Sequence, residues 1–124
     1  MQITKERRTC RSENTTRALS FQLETCRREA SLEGMVITDE TGMPLAVSGD
    51  VGSCDEVAAR LALVGRKVPE FHGVMFSDVS SYSVSMRRFE VGGSELYMCA
   101  IGGYLAPRNN QMTRSILGAQ RILS

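Results

Sequence analysis

Between residue 12 and Glu33 the apolar positions fall three and four apart, at Ala18, Leu19, Leu23, Cys26 and Ala30, with no Gly or Pro to interrupt them. This is the period of a helix that buries one stripe. Ser12 or Asn14 is placed to cap it, which sets residues 1–11 apart as a charged tail and 12–124 as one domain; an earlier helix start is equally compatible. Gly34 ends the helix. The spacing then changes: Met35 to Ile37 and Leu45 to Val47 are continuous apolar runs on either side of Asp39-Glu40-Thr41-Gly42, and predict a hairpin with Gly42 in the turn. Pro44 belongs at the start or outer side of the second strand. Met-Val-Ile shows no polar alternation, so the first strand is expected to be covered on both faces.

After Gly49 and Gly52, Ser53 and Glu56 match a capping box and predict a second helix, with Val57, Leu61 and Val64 as its stripe and Gly65, Arg66, Lys67 and Pro69 as stop signals. Residues 73–79 read as a third strand. A turn through Ser80 and Ser81 leads to Tyr82, Val84 and Met86 alternating with serines. The apolar parity slips between Met86 and Phe89, which predicts a bulge near Arg87 and Arg88. Gly92 and Gly93 turn the chain into a fifth strand, Glu95 to Ile101, apolar on both faces and therefore central. A last helix, capped by Asn109 or Asn110, carries Met112, Ile116, Ala119 and Leu123. The order αββαβββα predicts an α+β domain: a five-stranded antiparallel sheet with helices on both faces.

Composition adds few constraints. A chain of 124 residues, 42% hydrophobic and 23% charged, has the make-up of an ordinary globule. The net charge of +1 and scattered basic pairs without interleaved aromatics give no expectation of nucleic acid or an anionic membrane as partner. The N-terminus lacks the apolar core of a signal peptide, and a cytoplasmic location is expected. Cys10, Cys26, Cys54 and Cys99 include no Cys-x-x-Cys, and Cys26 and Cys99 read as core fillers.

The run Glu33-Gly34-Met35-Val36-Ile37-Thr38-Asp39 into Gly42, Pro44, Leu45 and Ala46, then Ser48-Gly49-Asp50, is one set of residues with a family likeness. Glu95-Leu96-Tyr97 leading to Gly102-Gly103, and Gly118-Ala119-Gln120-Arg121-Ile122-Leu123, are the others. Over residues 15–124 they resemble the roadblock / dynein light chain family, including its bacterial members that act on Ras-like GTPases. The resemblance implies a profilin-like sandwich, with the first and last helices on one face and the second helix on the other. It also implies a homodimer joined along the third strand and second helix, with Val57, Leu61, Val64, Val74, Met75 and Phe76 at the seam. The apolar third strand supports a covered edge independently.

Sites for chemistry are few. No Gly-x-x-x-x-Gly-Lys-Ser/Thr occurs, so GTP is not held by that loop. His72 is the sole histidine, which leaves too few imidazoles for a histidine-rich metal site, and it reads as a surface or structurally satisfied residue. Asp39 fits a turn and Glu56 a cap; Arg87 and Arg88 read as edge charges rather than arginines inserted into a GTPase site. The expected function is a non-enzymatic homodimeric adaptor or regulator of a small Ras-like GTPase, with no catalytic, cofactor or metal site. The partner contact is expected on Asp50, Ser53, Asp55, Arg66 and Lys67. The alternatives are a small-molecule sensor of a related five-stranded fold and a purely structural dimerisation module.

Overall fold

The computed structural model describes the backbone of residues 2–78 and 80–124, and the side chains of the same residues from Glu13 onward. Val79, the end of the expected third strand, and the charged side chains of residues 1–11 lie outside what is described. The first helix, α1, spans Gln2–Glu29, so Ser12 and Asn14 lie within it and not at its start. Leu19, Leu23 and Cys26 form its buried stripe, whereas Ala18 is exposed and Ala30 half-buried.

β1 (Gly34–Asp39) and β2 (Pro44–Gly49) form the expected hairpin, and Pro44 opens its strand. The Asp39 carboxylate accepts from the Thr41 N–H at 2.9 Å, the Thr41 hydroxyl at 2.6 Å and the Met43 N–H at 3.0 Å. Partial burial works against its charge, but these bonds and that from Gly42 outweigh burial and hold the carboxyl below its ordinary range. Asp39→Ala is therefore expected to cost about 1–2 kcal/mol at neutral pH. A depressed carboxylate contributes stability above its unfolded pKa and loses it as pH falls through the folded value. Urea titrations of the variant and the natural chain should thus draw together as pH falls below about 4 and meet only below the depressed folded value.

α2 (Val51–Gly65) ends at the expected glycine but begins earlier than its serine. Its N-cap is Asp50, whose Oδ2 accepts the Ser53 N–H at 2.8 Å and the Ser53 hydroxyl at 2.7 Å. Asp50 holds the extended backbone of a cap, and its carboxylate adds a negative charge to the hydrogen bond at the positive helix end.

β3 (Glu70–Phe76) starts three residues before the expected 73–79, because Glu70, Phe71 and His72 pair with Arg87, Met86 and Ser85. The turn that follows is closed by the Ser77 N–H on the Ser80 carbonyl, so it precedes Ser81. β4 (Ser81–Val91) runs in continuous register with β3 and β5, and the bulge expected near Arg87 and Arg88 is absent. The parity slip has another cause. Val84 and Met86 face the α2 side, while Phe89 reaches the opposite core on the other side of an unbroken strand. The register shift of the sheet falls instead between Ile37 and Thr38.

β5 (Ser94–Ile101) is central, antiparallel to β1 on one side and β4 on the other, in the order β2-β1-β5-β4-β3. α3 (Leu105–Leu123) begins with Tyr104 as N-cap and no side-chain cap bond, ahead of the expected Asn109 or Asn110. Pro107 is tolerated there because an N–H in the first helical turn has no intrahelical acceptor.

Two cores sandwich the sheet. Leu19, Leu23 and Cys26 of α1 and Met112, Ile116 and Ala119 of α3 pack on Met35, Ile37, Leu96 and Met98. On the other face Cys54, Val57, Ala58, Leu61 and Ala62 of α2 pack on Val36, Tyr97, Cys99, Ile101, Val84 and Met86. β1 is buried from both sides, as its unbroken apolar run requires.

Candidate interaction surface at the β3 edge

Among the described residues β3 is an outer strand of the sheet, paired with β4 alone. Its second edge leaves backbone N–H and C=O groups without a strand partner along Gly73-Val74-Met75-Phe76, with only the Phe76 carbonyl engaged by a side chain, and the stretch has no charge and no proline to discourage pairing. The strand also outruns its neighbours. Gly73 pairs with Val84 and Val84 with Ile101, so Val74 to Phe76 and their β4 partners project about 10 Å past the end of β5.

Alternation along β3 sends Phe71 and Met75 under α2 and leaves Val74 and Phe76 on the other face, 53% and 70% exposed. Of the six residues expected at the seam, Val74 and Phe76 have extensive free surface. Val57, Leu61 and Met75 are 0%, 2% and 6% exposed and belong to the core of the single chain, with half-buried Val64 packed at its margin. Val57 and Leu61 face the sheet and are covered within the single chain, while Val64 keeps part of its surface free. The outward face of α2 carries Ala59, Arg60 and Leu63, and Leu63 is 61% exposed. Arg60 Nη1 donates to the Phe76 carbonyl at 2.5 Å, which ties this face to the tip of β3. Sequence reasoning missed Leu63, although its place between the inward Leu61 and Ala62 and the inward Gly65 marks it as outward.

The residues expected to contact a partner do not converge. Asp50, Ser53 and Asp55 stand at the start of α2, and Arg66 and Lys67 follow its end. The helix has 15 residues, so the two groups are about 21 Å apart. Asp50 is engaged as the cap, its bonds from Ser53 holding its carboxyl below the usual range. Arg66 Nη2 donates to the Glu40 carbonyl at 3.2 Å.

Arg87 and Arg88 are likewise occupied. Arg87 donates to Thr113 and Asn109 of α3, and Arg88 Nη1 to the Gly65 carbonyl at the end of α2, at 3.1 Å. Burial pushes the Cys54 thiol up to about 11 and raises Cys99 further, so neither offers a thiolate at neutral pH.

His72 lies in a chain of polar contacts. Its Nδ1 is 2.8 Å from Ser85 Oγ and its Nε2 2.5 Å from Glu70 Oε2. Arg108 Nε donates to the same serine oxygen at 2.7 Å, and Arg108 Nη1 to the Gly102 carbonyl at 2.9 Å. Ser85, His72 and Glu70 stand in the order of a nucleophile, a base and an orienting acid. Ser85 is fully buried, however, so an acyl group has no approach to its oxygen. No group of three or more His, Cys, Asp or Glu among the described residues is arranged to hold a metal ion. Nor is any described helix long and apolar enough to cross a membrane.

No family model matches the chain, and no curated protein matches it in sequence. Solved structures do match in fold. An MglB with a tetrameric arrangement superposes with a TM-score of 0.64 at 14% identity, over 88% of this chain and 90% of that one. The gliding protein MglB of Thermus thermophilus gives 0.62 at 16% identity, over 88% and 90%. A Roadblock/LC7 domain from Streptomyces avermitilis gives 0.55 at 14% identity, over 83% and 92%. The chain has the roadblock fold. Its roadblock features are α1 and α3 on one face, α2 on the other, and β3 at the open edge.

Proposed function

We propose that this chain is a non-enzymatic, homodimeric adaptor that binds and regulates a small Ras-like GTPase in the cytoplasm. The roadblock fold supports the class, together with the family resemblance read from the sequence. The observation that carries the reading is the uncharged outer edge of β3 at Gly73 to Phe76, together with the exposed Leu63 on the outer face of α2. Two copies meeting along β3 would complete each other's ladder and cover Leu63 and Phe76. Acceleration of hydrolysis, if the partner shows it, would come from remodelling the partner's switch segments, since Arg87 and Arg88 are tied to this chain's own helices.

Sedimentation equilibrium, followed by binding of purified small GTPases from the source genome in GTP-analogue and GDP forms, tests both halves. A dimer that retains one GTPase in the GTP form alone is expected. Equal retention in both forms would make the chain a passive scaffold, and retention of none would overturn the GTPase half while leaving the dimer to be judged by sedimentation.

A further inference from the structure

The geometry points to a proton-operated latch on the edge strand: proton uptake by His72 breaks the chain Arg108–Ser85–His72–Glu70 and loosens β3 from β4. The chain has one direction. Contact of Nε2 with the Glu70 carboxylate requires a hydrogen on that nitrogen, so in the neutral ring Nδ1 is the bare one and accepts the Ser85 hydroxyl hydrogen. Ser85 Oγ in turn accepts from Arg108 Nε. The bond from His72 holds the Glu70 carboxyl below its ordinary range, so Glu70 stays ionised through weak acid. Every member is satisfied, and the latch joins the outer strand to β4 and, through Arg108, to α3.

A second proton on His72 turns Nδ1 into a donor. Ser85 Oγ can accept from both Arg108 and the ring through its two lone pairs, but its own hydrogen has then lost its acceptor in a fully buried position. A buried donor without an acceptor is costly, whereas the His72–Glu70 pair lies at the surface, where ion pairs contribute little. The charges around the ring add to the effect. Glu70 on β3 is its acidic neighbour; Arg87 of β4 stands opposite Glu70 in the register, and the buried Arg108 comes from α3. α2 packs on the opposite face of β3, and its Arg60, paired with Glu56, reaches the strand at Phe76. The added cation therefore joins two arginines and one carboxylate, and the ring leaves Ser85.

The latch does not depend on the proposed dimer, but it would control that seam if β3 forms it. Amide hydrogen exchange along Glu70 to Phe76, corrected for intrinsic rates and run between about pH 5 and 8, tests it. The ring resonances of the sole histidine report protonation directly. Protection along β3 is expected to fall about tenfold as His72 protonates, while the β1–β5 ladder holds. His72→Gln and Ser85→Ala should each abolish the dependence. A flat profile in the natural chain, or an equal fall in either variant, would overturn the latch. Sedimentation of the same samples judges the dimer separately: a monomer at every pH would remove the seam and leave the latch to be decided by exchange.

Discussion

Gly49→Ala is expected to destabilise the chain by roughly 2–5 kcal/mol, the sum of backbone strain and overpacking. Gly49 holds φ at 105°, a conformation L side chains rarely adopt. An added Cβ would stand 2.3 Å from the Glu33 carbonyl oxygen and 2.8 Å from Gly34 Cα. Both obstacles are backbone and cannot swing aside. They also belong to the junction that orders the molecule, where the Glu33 N–H donates to Ile101, the Asp50 N–H donates to Glu33, and Gly34 pairs with Gly49. Gly92→Ala is the control. Gly92 too has positive φ, at 57°, but nothing lies within 4 Å of its added Cβ, so strain alone remains. Urea denaturation of the two variants separates clash from strain; equal losses would mean that the Glu33–Gly34 contact yields.

The second large effect separates core from seam. Leu61→Glu places a charge at a site 2% exposed among Val57, Tyr97 and Met86. It is expected to unfold the chain, since an unpaired buried charge costs about 3–5 kcal/mol. Phe76→Glu alters a ring 70% exposed and should leave the fold intact. If β3 pairs with its symmetry mate, each copy brings a charge into an apolar seam, and the dimer dissociation constant should rise by roughly thirtyfold. Circular dichroism and sedimentation on both variants supply the readings. A folded dimer of Phe76→Glu with unchanged affinity would place the seam elsewhere.

The element order was legible because each element announces itself locally. The period of Leu19, Leu23 and Cys26, the unbroken Met35-Val36-Ile37 and the doubly apolar strand before Gly102 each admit few readings. Boundaries were less legible, because several residues compete to cap one helix and only the assembled backbone decides. Asp50 won over Ser53, and Tyr104 began a helix that Asn109 was expected to cap. The seam was harder still. A stripe such as Val57-Leu61-Val64 states that one face of a helix is covered, but not what covers it, and the sheet has first claim. The latch was invisible because Glu70, Ser85 and Arg108 meet His72 only through the β3–β4 register and the start of α3.

The strand order has a consequence for how the chain is made. β1–β2 and β3–β4 are hairpins of near neighbours, and each can close soon after leaving the ribosome. The strand that joins them, β5, pairs with both β1 and β4 and is the last of the five to be synthesised. Until it arrives, the nascent chain carries two separate hairpins with exposed edges. Arrival of Ser94–Ile101 completes the sheet in one step and gives α3 its docking face. Commitment to the native state is therefore expected late in synthesis, and that interval is when the chain is most exposed to mispairing with its neighbours.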